Sequence, residues 1–93
     1  MKYRKKPLVV DAIQWTGDLP LPEEFEEMGF LEDENGYDLL ILTKEGEMRC
    51  KMDDWIIKGI EGEFYCCKNS VFQETYEWTG LSKSTSILMS SGL

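Results

Sequence analysis

Hydrophobic positions in the second half of the chain alternate with polar ones between regularly spaced turn signals, the pattern of strands linked by hairpins. Residues 47–52 alternate cleanly, so Met48, Cys50 and Met52 are expected to face inward and Arg49 and Lys51 outward. Residues 37–43 precede them as a strand that is apolar at nearly every position, and the turn between the two carries Gly46 where positive φ is expected. Asp53 and Asp54 turn the chain into a strand at 55–58, the loop 59–62 follows, and 63–67 returns beside it. Asn69 or Ser70 is placed to cap a helical turn holding Phe72, with an extended stretch at 76–78 beyond it. In the first half, residues 8–15 carry Val9, Ile13 and Trp15 on one face and Leu8, Val10 and Ala12 on the other, which predicts a central strand. Residues 22–29 have the end signals of a short helix: Pro22 at the first position, acidic side chains in the first turn and Gly29 past the end, with Phe25 and Met28 facing the core.

These elements predict a small single α+β domain: a mostly antiparallel, twisted sheet of about five strands, with one short helix and a helical turn. A half-closed barrel is the alternative. The expected core is Val9, Ile13, Trp15, Phe25, Leu40, Leu42, Met48, Trp55, Ile57, Phe64 and Phe72. The domain is assigned to residues 1–79. Residues 80–93 change composition to serine-rich and are expected to form a flexible tail, although Ile87, Leu88 and Met89 are apolar enough to dock on the body.

Charge and composition narrow the function. The 93 residues include 10 Lys+Arg, 18 Asp+Glu and no His, for a net charge of −8. Without His the chain lacks the commonest general base, the commonest metal ligand and any Ser-His or Cys-His pair. Its acidity argues against an extended nucleic acid as partner, because that affinity depends on Lys and Arg at the phosphates. No stretch reaches the roughly 18 apolar residues of a membrane span, and the basic opening lacks a signal-peptide core. Three cysteines, two of them adjacent, do not resemble a secreted disulfide framework, so a cytoplasmic protein is expected, with no metal and no cofactor.

The charge is unevenly placed. Residues 18–38 hold acidic side chains at positions 18, 23, 24, 26, 27, 32, 33, 34 and 38 and no basic one, so the remainder is nearly neutral. Glu23, Glu24, Glu26 and Glu27 are the candidate protein-interaction residues, set against the plainer reading of a solvated acidic surface. A second candidate is a positive, aromatic-walled pocket for a small anionic ligand such as a nucleotide, built from Arg4, Lys5, Lys6, Lys58, Tyr65 and Lys68. The plainer reading there is core aromatics and solubilising lysines. Asp53 and Asp54 beside Trp55 are an acid pair in sequence, which a hairpin corner explains equally well, and Cys66 and Cys67 read as half-buried small hydrophobes.

Two stretches also resemble a known family. The opening Lys2-Tyr3-Arg4-Lys5-Lys6-Pro7-Leu8-Val9-Val10-Asp11-Ala12-Ile13-Gln14-Trp15 and the later Asp54-Trp55-Ile56-Ile57-Lys58-Gly59 through Glu63-Phe64-Tyr65 are similar to small proteins of tailed bacteriophages and prophages. That family opens with K-Y-R-K-K-P-V-V-V-E-A-x-Q-W and continues with G-D-W-I-I-K-G-V-K-G-E-F-Y. The chain departs from the pattern at Met52-Asp53, Cys66 and Asn69-Ser70, where the family favours turn residues. The resemblance implies a phage or prophage origin and a role inside the host bacterium. It implies no catalytic residue set. The expected function is therefore an accessory protein that binds a host or phage protein, or a small anionic ligand, and is not an enzyme. The alternative is a structural or assembly component of the phage particle. Self-association is compatible with the apolar strands.

Overall fold

The computed structural model describes residues 1–3, 7–78 and 86–89. In chain order the elements are β1 (Val9–Gln14), a single 3-10 turn (Glu23–Phe25), β2 (Phe30–Glu32), β3 (Leu39–Thr43), β4 (Gly46–Cys50), β5 (Trp55–Lys58), β6 (Phe64–Cys67), α1 (Asn69–Thr75), β7 (Tyr76–Trp78) and β8 (Ser86–Met89). They form two sheets, a five-stranded one in the order β6-β5-β1-β8-β7 and a three-stranded one in the order β2-β3-β4, with antiparallel neighbours throughout. The α+β character and the hairpin succession agree with the sequence reading. The single sheet of about five strands does not, and the two sheets are not closed into a barrel.

The central position of β1 follows from its two apolar faces, and it lies between β5 and β8. Neighbouring Ile56 and Ile57 on β5 are both fully buried, so the larger sheet is covered on both sides. On one side Trp15, Phe25, Met28, Leu39, Ile41, Cys50 and Ile56 fill the space between the sheets. On the other, Val10, Ala12 and Ile57 pack with Phe72 of α1. The layers are therefore small sheet, large sheet and helix.

Several expected core positions shift. Val9 is 50% exposed, whereas Val10 and Ala12 are buried. On β3 the buried pair is Leu39 and Ile41, and Leu42 is 45% exposed while Leu40 is only half-buried. A strand with leucine or isoleucine at four successive positions offers the same apolar surface in either phase, so its partner decides. Leu39 pairs with Cys50 and Ile41 with Met48, and β4 alternates unambiguously. Gly46 closes this hairpin at φ 119°, where a side chain would be strained.

The expected helix over 22–29 contracts to the 3-10 turn. Its bonds all span three residues: Phe25 N–H to Pro22 C=O at 2.9 Å, Glu26 N–H to Glu23 C=O at 3.1 Å, and Met28 N–H to Phe25 C=O at 3.1 Å. Three residues per turn puts Phe25 and Met28 on one side, both into the core, which the longer helical period achieves less well.

Residues Ser86–Met89 also differ from expectation. They form β8, between β1 and β7, with Val9 opposite Leu88 and Glu77 opposite Leu88 on the other edge. The tail reading is corrected for these four residues, and positions 80–85 and 90–93 lie outside the described residues. The cysteines are the last correction. Cys50 on β4 and Cys66 on β6 form a disulfide that joins the two sheets, with Cα atoms 5.7 Å apart, leaving Cys67 as the free thiol. A bridge between non-adjacent strands depends on which faces meet, and local spacing does not carry that information.

Candidate functional site

The acidic block begins where the chain leaves β1. Trp15 is buried and its indole N–H donates to the Tyr37 carbonyl at 2.9 Å, which ties the end of β1 to the loop that leads into β3. The chain then runs through Gly17 at φ 90° and a cis Leu19–Pro20 bond to the 3-10 turn. Phe25 and Met28 fasten the turn to the core, and Phe25 meets Phe64 of β6 at 6.0 Å between ring centroids. With those two side chains inward, Glu23, Glu26 and Glu27 are exposed and Glu24 is half-buried. The four predicted interaction residues are thus brought together on one turn.

They border a feature that sequence reasoning missed. Leu19, Pro20, Leu21, Phe25, Glu26 and Phe30 line an open groove of about 480 Å³, apolar except for Glu26 at its side. Leu19 is 42% exposed at its rim. The available signal was the run Leu19-Pro20-Leu21-Pro22, two leucines in a turn segment that no strand or helix period explains. It reads as a chain break when only punctuation is considered.

The acidic turn that follows β2 is a different environment. Asp33 and Asp38 hold Arg49 of β4, at 3.2 Å and 2.7 Å, and the Asn35 side-chain oxygen accepts from the backbone N–H groups of Tyr37 and Asp38. The Arg49 hydrogen bond, together with the Asn35 backbone N–H, holds the Asp33 carboxyl below the ordinary carboxylate range. The single Arg49 charge thus offsets part of the charge of Asp33 and Asp38. Among the described residues no ion pair joins Glu23, Glu24, Glu26, Glu27 or Glu32, and Glu26 lines the groove.

Among the described residues, two members of the expected anion pocket, Lys58 and Tyr65, are not brought together. Lys58 pairs with Phe64 and Ile57 with Tyr65 across β5 and β6, so Lys58 and Tyr65 project from opposite faces of the larger sheet. Lys58 lies 5.8 Å over the Phe64 ring, a cation–π contact, while the Tyr65 hydroxyl is 3.3 Å from that of Tyr76. Lys68 is exposed at the start of α1, and Arg4, Lys5 and Lys6 lie outside the described residues.

The carboxylate and thiol candidates have structural work. Asp53 takes φ 73° at the corner, and Asp54 accepts from the backbone N–H of Asn69 at 3.2 Å and of Lys51 at 3.3 Å. Asn69 in turn accepts from the Trp55 indole N–H at 2.9 Å. This chain of bonds seats α1 on β5, where Phe72 stacks between Trp55 and Tyr76 at 3.9 Å and 4.8 Å. Asp54 and not Asn69 or Ser70 therefore supplies the side-chain cap of α1. Burial, with Asp54 nearby, pushes the Cys67 thiol up, the direction opposite to that of a reactive thiolate. Among the described residues no group of three His, Cys, Asp or Glu could hold a metal, and no helix is long and apolar enough to cross a membrane.

No family model, curated protein or solved structure matches this chain. An apolar groove bordered by carboxylates offers burial to an apolar side chain and attraction to a cationic one.

Proposed function

We propose that the chain is a phage- or prophage-encoded accessory protein that works by binding a host or phage protein and not by catalysis. Its docking face is the acidic turn with Glu23, Glu24, Glu26 and Glu27, and the groove between Leu19 and Phe30. The observation that carries this reading is the position of the groove: the apolar surface that can be desolvated is lined by Glu26 of the four-glutamate turn, which has no ion pair among the described residues. Protein interfaces combine those two elements, an apolar centre that supplies affinity and a charged rim that steers the encounter. The opposite faces occupied by Lys58 and Tyr65 weigh against the small-anion version.

The site of action is the host cytoplasm. In that reducing compartment the Cys50–Cys66 bridge would be open, its two thiols remaining between the sheets.

In-cell cross-linking with mass spectrometry, comparing the wild-type chain with a Glu23→Lys/Glu26→Lys/Glu27→Lys variant of unchanged melting temperature, tests the reading. Cross-links from the 18–32 region to one protein, lost in the variant, are expected. Equal cross-linking by both would refute the face. Recovery of the chain in purified phage particles at stoichiometric amounts would instead favour a structural component of the particle.

A further inference from the structure

The groove reaches Phe30 on β2, an edge strand of the small sheet. β2 pairs antiparallel with β3, with Phe30 opposite Ile41, Leu31 opposite Leu40 and Glu32 opposite Leu39. In the same register the Leu42 N–H donates to the Gly29 carbonyl at 2.9 Å and the Asp33 N–H to the Asp38 carbonyl at 3.0 Å. Bonded and non-bonded pairs alternate along an antiparallel ladder, so Gly29, Leu31 and Asp33 aim their backbone groups at β3. Phe30 and Glu32 aim theirs outward. β2 is the last strand of its sheet, and among the described residues no backbone group meets these donors and acceptors.

The same two residues define side-chain sites. Phe30 lines the groove, and Glu32, two positions on, is exposed on the same face. A strand laid antiparallel along β2 would place one residue opposite Phe30, with its side chain over the groove formed by Phe30, Phe25, Leu21 and Leu19. The residue two positions earlier in that strand would come opposite Glu32.

We infer that the docking face takes an extended segment of a partner protein by strand addition to β2, and that the segment has the pattern basic residue, any residue, bulky apolar residue. This deepens the proposed binding role and rests on it. Backbone hydrogen bonds at Phe30 and Glu32 supply affinity that is independent of sequence, while the groove and Glu32 supply the selection. Charge selects this occupant over a second copy. A two-fold pairing of β2 with itself would bring Glu32 over the partner's Phe30 and set one acidic block against another, so the edge is protected from self-pairing by its own carboxylates.

The probe is a capped peptide, Thr-Lys-Thr-Leu-Thr-Lys-Thr, which presents the pattern in either direction, titrated into the full chain and followed by amide NMR and calorimetry. Saturable binding with new hydrogen-exchange protection of the Phe30 and Glu32 amides is expected. Methylation of the leucine amide, which removes one ladder hydrogen bond and blocks close approach, should weaken binding about tenfold. Replacing both lysines by glutamate should weaken it at least as much, and so should Leu19→Asp or Glu32→Lys in the protein, each at an exposed position and compared at an unchanged melting temperature. Binding that ignores amide methylation, or protection of Phe30 and Glu32 through dimerisation without peptide, would overturn strand addition. Should the peptide fail while Leu19→Asp still abolishes the partner's cross-links in cells, the docking face stands and strand addition falls. Loss of both results removes both readings.

Discussion

Reduction of the Cys50–Cys66 bridge gives the largest perturbation available without altering the sequence. The two half-cystines are 16 residues apart, and closing a loop of that length lowers the entropy of the unfolded chain by an amount worth about 3 kcal/mol at room temperature. The native side changes little, because Cys50 is fully buried and reduced thiols occupy nearly the same space in the core between the sheets. The loss therefore falls on the difference between folded and unfolded chain, and at roughly 4–8 °C per kcal/mol for a domain of this size the melting temperature should fall by about 12–24 °C. Urea unfolding with and without reductant, with thiol titration to count sulfhydryls, measures it. A Cys50→Ala/Cys66→Ala variant should be indifferent to reductant. If reduction is complete and the unfolding midpoint does not move, the bridge does not constrain the unfolded chain and the reasoning fails.

Other consequences can be measured independently. Tyr76 is held protonated above the ordinary phenol range by burial and then by the Tyr65 hydroxyl, so the folded state binds a proton that the unfolded state releases above about pH 10. Stability is complete below that value and falls as pH rises; in a Cys67→Ser background, Tyr76→Phe should flatten the melting-temperature curve between about pH 9 and 11, and an unchanged slope would contradict the assignment. Phe72→Ala removes the middle ring of the stack under α1 and should cost about 3–5 kcal/mol in urea unfolding with a red shift of Trp55 fluorescence. Asp54→Ala loses the acceptor for the Asn69 N–H and should cost about 0.5–2 kcal/mol, with exchange protection lost first in Asn69–Thr75. Arg49→Met should return the Asp33 carboxyl toward its ordinary pKa in NMR titration, because the guanidinium hydrogen bond is the main cause of its depression.

The sequence was most informative where one local signal decided the structure. Met48 and Cys50 alternate with exposed Arg49 on β4, Gly46 closes the β3–β4 hairpin, and Phe72 is buried in a helix after β6, as expected, whereas Met52, expected to face inward, lies past the strand's end at Cys50 and is exposed. β1 read as central because both its faces are apolar, and it is central. What the residues could not convey was set by contacts between distant segments. The phase of β3 depends on β4, the Cys50–Cys66 bridge on the meeting of two sheets, and β8 on an edge left by β1 and β7. A serine-rich composition lowers the local strand signal, so Ser86–Met89 reads as tail until a partner strand is known. The candidate site divides in the same way. The glutamates of the 3-10 turn were legible because charge adds along the chain, whereas the groove joins Leu19–Leu21 to Phe30 through the fold, and strand alternation puts Lys58 and Tyr65 on opposite faces of their sheet.

The central claim, that a basic extended segment adds to the edge of β2, predicts one short interproton distance. Leu31 would form a non-hydrogen-bonded pair with the residue between the peptide's lysine and leucine, and such pairs bring Cα atoms to about 4.5 Å. An isotope-filtered NOE experiment on the complex should show contact between the Leu31 Hα and that peptide Hα, with peptide leucine methyls against Phe30 and Leu21. Peptide contacts confined to the glutamate side chains, or located on the α1 face, would contradict the account.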